Sequence, residues 1–128
     1  MAQLKPEERA LFEDKNFVTV ATVGADGGPR STPAWVDIEG DEILLNSAAH
    51  RAWPKNLRRD PRIALSVFDH SHPYRKVTVI GRVTNMTEDG AIDHIHRLAH
   101  KYTGRDYKGD MDRVLIRVGI DKVHAYNL

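Results

Sequence analysis

"FVTVATVGADGGPRSTPAWVDI", residues 17–38, decides the fold class. Its first eight residues are mostly β-branched or apolar, which is strand chemistry. They stop at Ala25-Asp26-Gly27-Gly28, and an Asp-Gly pair between two apolar runs is a strong signal for an antiparallel hairpin. "PRSTPAWVDI" is then the return strand. Pro33 cannot donate to a ladder, so this strand is expected at a sheet edge, at a bulge or where pairing stops.

Outward from the hairpin the pattern continues. A short helix is expected upstream over Pro6–Lys15. Downstream, "EGDE" (39–42) makes a turn and "EILLNS" (42–47) a third strand. "RIALSVFD" (62–69) places Ile63, Leu65 and Val67 on one face. "HSHPY" (70–74) reads as a loop, and "RKVTVIGRVTNM" (75–86) as a long strand in which Gly81 marks a bulge or a close backbone approach. "EDGAIDHIHRLAHKYTG" (88–104) has helical spacing through Ile92, Ile95, Leu98, Ala99 and Tyr102, and Gly104 suits its C-terminal end. "RVLIRVGI" and "KVHAYNL" close the chain as two strands. Hairpin-connected strands with few helices and no βαβ alternation predict a mainly β protein, a small antiparallel β-barrel with peripheral helices.

The chain has 128 residues, which suits one domain over 1–128 with its own core. Nineteen basic against eighteen acidic side chains leave no large positive excess, so non-specific nucleic-acid binding is not expected. No cysteine is present, which removes disulfides, thiolate nucleophiles and cysteine-based metal sites. The N-terminus is charged where a signal peptide would be apolar, and no apolar run is long enough to span a membrane. A cytoplasmic protein without a membrane partner is the expectation.

Charge is concentrated in one place, "HRAWPKNLRRDPR" (50–62), which carries four arginines and a lysine. Pro54 is tolerated only in a first turn and Pro61 restricts Asp60, so the block reads as a short helix. At about 100° per residue, Arg51, Lys55, Arg58 and Arg59 fall on one face, with Trp53 and Leu57 opposite as anchors. Upstream, "NSAA" offers small polar groups and backbone N–H donors at a helix start, a seat for a phosphate; a merely solvated helix face is the competing reading. Asp93, His96 and His100 share a flank of the long helix, but the spacing lacks a metalloprotease glutamate, so no metal site is assigned. Trp35 reads as core or dimer interface, Tyr102 as core, and Tyr107 has no assigned role.

"RSTPAW", "NLRRDPRIALSV", "HPYRKVTVIGRV" and "HKYTGRDY" occur in this order and spacing. Together they resemble the split β-barrel flavin and deazaflavin oxidoreductases, the pyridoxamine-phosphate-oxidase-like superfamily, and within it the deazaflavin (coenzyme F420)-dependent reductases. The resemblance runs from about Phe17 to Tyr126. It implies a homodimer with cofactor sites between subunits, and hydride transfer to a planar electrophilic small molecule. It also implies site residues. Ser31, Thr32, Pro33 and Ala34 would lie beside the cofactor ring, Asn46, Ser47 and Ala48 near its ribityl chain, and Arg51 and Lys55 at its phosphate, with Asn56 in the same helix. His72, Tyr74 and Arg75 would approach the partner's cofactor. FMN is the alternative cofactor, and a non-enzymatic flavin-, deazaflavin- or haem-binding module the alternative class. One position departs from the family pattern: Trp53 stands where a phosphate-binding lysine is usual. Either Arg51 or Lys55 replaces that lysine, or Trp53 stacks on the ring, or the usual ligand is absent.

Overall fold

The opening hairpin forms as its residues predict. In the computed structural model, which describes residues 2–128, β1 (Val18–Val23) pairs antiparallel with β2 (Pro29–Ala34) from Val18↔Ala34 to Val23↔Pro29. Gly27 takes a φ of 82° in the turn, which a β-carbon would disfavour, and Asp26 Oδ1 accepts the Gly28 N–H at 2.9 Å. β2 pairs with β1 alone, so Pro29 and Pro33 both sit on an edge strand where a missing donor is tolerated.

The full order is α1 (Pro6–Glu13), β1, β2, β3 (Asp37–Glu39), β4 (Glu42–Ala48), α2 (Ala52–Arg59), β5 (Arg62–Asp69), β6 (His72–Thr87), α3 (Ala91–Thr103) and β7 (Arg113–Tyr126). The seven strands form one antiparallel sheet in the order β2-β1-β5-β6-β7-β4-β3. Its two edges, β2 and β3, are consecutive in the chain and joined only by Trp35 and Val36. Three peptide steps reach at most about 11 Å, so this short link draws the edges together and curls the sheet into a barrel that stays unpaired along one seam.

Three segments differ from the sequence reading. The return strand is cut at Trp35–Val36 into β2 and β3, because it changes partner there from β1 to β4. "HSHPY" is not all loop: His72, Pro73 and Tyr74 begin β6, and Asp69 pairs with His72 across a two-residue turn. The last two strands are one, β7, bent where the β6 register shifts between Ile80 and Gly81. Gly81 is required at this bend, since a β-carbon on it would lie 2.2 Å from the Gly119 carbonyl oxygen.

Inside the barrel, Val18, Val20, Ile43, Leu45, Leu65, Val67, Val77, Val79, Ile116 and Val118 make the main core, joined by Leu11 and Phe12 of α1 and Leu57 of α2. β4 is buried on nearly every residue because the core takes one face and α3 covers the other. Ile95, Leu98 and Tyr102 are the buried stripe of α3, whereas Ile92, expected in that stripe, is 42% exposed; buried His94 occupies the inward position. No helix among the described residues is long and apolar enough to cross a membrane.

Candidate functional site

The corner that closes the barrel also builds a cleft. Tyr102 on α3 accepts the Val36 N–H at 3.1 Å and donates to the Asn16 carbonyl at 2.6 Å. Lys101 Nζ donates to the Phe12 and Val36 carbonyls, both at 2.7 Å. So pinned, Trp35 lies flat on the Tyr102 ring (centroids 5.2 Å apart, planes 4° apart), with Phe17 on the same ring at 5.5 Å. Burial pushes the Tyr102 hydroxyl up to about 12, against the opposing pull of the Val36 N–H. Desolvation lowers the Lys101 ammonium below its ordinary value.

Two clefts meet at this end of the barrel. The first, about 280 Å³, is walled by Pro33, Ala34 and Trp35 from the edge and corner, by Asn46, Ser47 and Arg113 from β4 and β7, and by Ile95 and Leu98 from α3. The second, about 670 Å³, runs along β1 and β2 past Thr22, Ser31, Thr32 and Asn56. Arg51 and Trp53 line both. The residues expected at the site from β2, β4 and α2 thus converge, although they are separated by up to 25 positions in the chain.

Not every expected residue takes part. Ala48 is buried, Lys55 is exposed, and neither lines these clefts. Tyr74 is 75% exposed at the start of β6 and also lines neither. Of the four cations assigned to one helix face, only Arg51 reaches the clefts. Arg59 instead donates to Asn56 Oδ1 at 2.7 Å, and Asn56 Nδ2 donates to Thr22 Oγ1, fastening α2 to β1. Trp53 is both anchor and lining: it packs on the barrel core and forms the wall common to the two clefts. The expected free N–H donors after β4 are partly occupied, because Ala49 N–H bonds the Asp112 carbonyl and Arg51 N–H the Ala48 carbonyl.

Sequence reasoning missed the floor of the first cleft. Arg113 is only 8% exposed, yet among the described residues it has no carboxylate within salt-bridge distance. Its Nε donates to Asn46 Oδ1 at 2.9 Å, its Nη1 to the Tyr107 hydroxyl at 3.1 Å, and its guanidinium lies 4.9 Å from the centre of the Tyr107 ring. Burial lowers its pKa from the usual arginine value. Asn46 is held in turn: its Nδ2 donates to the Ala91 carbonyl at 2.9 Å and to His94 Nδ1 at 3.1 Å. His94 is therefore the tautomer with its proton on Nε2, which points toward Asp37 Oδ2 at 3.6 Å. The imidazole, with the Ile38 N–H at 2.8 Å, holds the Asp37 carboxyl down at about 2 against the cost of its burial. A line of side chains, Asp37–His94–Asn46–Arg113–Tyr107, so runs from the β3 edge to the cleft floor, hydrogen-bonded from His94 onward and joined to Asp37 only at the 3.6 Å ion-pair distance.

Beyond the cleft, His96 Nδ1 accepts the Tyr107 N–H at 3.1 Å and His100 Nε2 lies 2.5 Å from Asp106 Oδ1, so the two histidines serve separate partners. No group of three metal-ligating side chains occurs among the described residues.

Known proteins share this architecture. A solved structure described as an F420 reductase is 26% identical, with a TM-score of 0.85 over 94% of this chain and 98% of that one. A conserved hypothetical protein from Mycobacterium tuberculosis is 25% identical, with a TM-score of 0.72 over 98% and 84% of the two chains. HupZ from Group A Streptococcus, at 17% identity and a TM-score of 0.73 over 96% and 94%, shares the fold. No curated protein sequence matches the chain. The profile of the pyridoxamine 5'-phosphate oxidase family matches residues 4–127, nearly the whole length, and the chain belongs to that family.

Proposed function

We propose that this protein is an oxidoreductase of the split-barrel type that binds a reduced deazaflavin, coenzyme F420, and passes a hydride to a planar electrophilic small molecule. One observation carries the reading: β2, β4 and α2 converge on a flat-walled pair of clefts with Arg51, a cation with no carboxylate within 4 Å among the described residues, at their junction. This donor set fits a planar ring that bears a phosphate. Pro33, Ala34 and Trp53 offer apolar faces for the ring, Ser31, Thr32 and Ser47 offer hydroxyls, and Arg51 offers the charge for the tail. Trp53, in place of the usual lysine, trades a point charge for a stacking surface and leaves the phosphate to Arg51, with Lys55 one turn along the same exposed helix side. The cofactor supplies the hydride chemistry when bound, and the protein's part is to hold and orient. We further propose a homodimer, in which the exposed Tyr74, with His72 and Arg75, faces the partner's cleft rather than its own.

The test is a titration of the purified chain with F420 and, separately, with FMN. Both tryptophans of the chain line the first cleft, so their fluorescence reports occupancy directly. Saturable quenching by F420 at micromolar levels, from protein that purifies colourless, is expected, and Arg51→Ala with Lys55→Ala should weaken it in a salt-sensitive manner. Preferential FMN binding, or a yellow protein as purified, would replace the deazaflavin with FMN. Binding of neither would overturn the oxidoreductase reading.

A further inference from the structure

The floor of the first cleft carries a charge that the proposed cofactor does not use. Arg113 is more than nine-tenths buried, and its two protein partners, Asn46 Oδ1 and the Tyr107 hydroxyl, are both neutral. A guanidinium has five N–H donors. Two are engaged, and Nη2 has no protein partner among the described residues while the residue lines the cleft. No carboxylate among the described residues touches this mostly buried cation, Asp110 supports it only from a distance and Arg51 opposes it, so an anion in the cleft would favour a charge that burial disfavours. The side chain is also not free to turn away. Nε is tied to Asn46, Asn46 is locked by Ala91 and His94, and Tyr107 caps the other side with its ring edge against Trp35. The open end of the fork, Nη2 with the remaining N–H of Nη1, is the edge that takes a carboxylate with two parallel hydrogen bonds. Around it stand Trp35, Ile95 and Leu98, which suit an apolar, flat body behind the charged group.

We infer that Arg113 is the specificity residue of this cleft and that the molecule it selects is a planar aromatic or conjugated carboxylate. This deepens the reductase reading, since it names the class of substrate, but the carboxylate site itself does not depend on any cofactor. Arg51 belongs to the other cleft as well as this one and serves a phosphate; Arg113 lines this cleft and serves the carboxylate.

The test uses the full chain without cofactor and the pair 2-naphthoate and 2-naphthamide, which differ in charge but hardly in shape. Tryptophan quenching should show naphthoate bound at least about tenfold more tightly than naphthamide, the value of one charge-assisted pair. Arg113→Gln should erase that ratio, and Arg113→Lys should restore only part of it because a lysine has no fork. Arg51→Gln should keep the ratio. Inorganic phosphate should compete with naphthoate no better in wild type than in Arg51→Gln. Equal binding of the two probes to wild type overturns the inference without recourse to any variant. Loss of the ratio in Arg51→Gln, with Arg113→Gln unaffected, would move the anion to the phosphate position and overturn it too. Failure of F420 and FMN to bind, with the naphthoate preference intact, would remove the reductase reading and leave the carboxylate site standing.

Discussion

Removing one oxygen atom, with Tyr102→Phe, tests how the cleft's corner is held. The hydroxyl accepts the Val36 N–H at 3.1 Å and donates to the Asn16 carbonyl at 2.6 Å, in a residue only 6% exposed. Phenylalanine keeps the ring, and therefore the stack on Trp35 and Phe17, but leaves both backbone groups short of a partner. Each buried group left so costs about 1–3 kcal/mol, and the Asn16 carbonyl has a second lone pair to fall back on, so the total should be about 2–4 kcal/mol at neutral pH. The same hydroxyl makes a second, independent demand. Its folded pKa lies at about 12 against the ordinary 10.0, so between those values the unfolded chain releases a proton that the folded chain keeps. Stability present below about pH 10 is then lost as the pH rises toward about 12, amounting to about 2 kcal/mol by pH 11.5. Tyr102→Phe has no such proton. Urea unfolding of both proteins should therefore show a gap of 2–4 kcal/mol near pH 7 that narrows by about 2 kcal/mol at pH 11.5, at constant m value. Burial lowers the Lys101 ammonium, so its own contribution runs with pH in the opposite sense, but it is common to both proteins and cancels in the difference. A gap that stays constant with pH would refute the buried-hydroxyl reasoning. A gap below about 0.5 kcal/mol at neutral pH would refute the idea that this hydroxyl pins the corner.

The other outcomes concern neighbouring parts of the structure. Asp37, held at about 2 by His94 first of all, contributes stability above its unfolded pKa that disappears as the pH falls from about 4 to about 2. His94→Phe should flatten that acid limb, by up to about 2 kcal/mol, in acid-unfolding curves followed by circular dichroism. Gly81→Ala places a β-carbon 2.2 Å from a backbone oxygen that cannot easily retreat, and a loss of about 2–3 kcal/mol, or failure to fold, is expected from thermal unfolding. Lys101→Met withdraws donors from two carbonyls at 2.7 Å, and should cost about 2 kcal/mol while broadening the Trp35 fluorescence as the corner loosens. Asn56→Ala should cost about 1–2 kcal/mol by detaching α2 from Thr22, and its naphthoate-to-naphthamide ratio should be unchanged.

Local chemistry made much of this molecule legible. The Asp26-Gly27 turn, the prolines that confine β2 to an edge, Gly81 at the bend and Gly104 at the end of α3 each state a backbone requirement that few other residues meet, and each is found where its residue type demands. The site was half legible for the same reason. Arg51 stands out because α2 is a short, strongly two-sided helix; Trp53, an anchor by helix geometry, enters the site with its neighbours on β2 and β4 through family resemblance. The boundary of the fifth expected strand was missed because His72 and Pro73 carry loop chemistry, yet pairing across the tight Asp69–His72 turn recruits them into β6.

By itself, then, the order of residues determined a hairpin-built barrel, a return strand unfit for a central place in the sheet and a helix that brings a cation to the clefts. Only the tertiary structure decided the floor of the cleft. Arg113 lies 67 residues from Asn46, and in sequence it is one more arginine at the start of a β-strand, alternating outward with Leu115 and Arg117. It becomes a buried charge with no carboxylate in contact, among the described residues, because α3 covers that outer face and brings His94 against Asn46. Strand periodicity tells which face a side chain takes, but what later covers that face is settled by packing between elements distant in the chain.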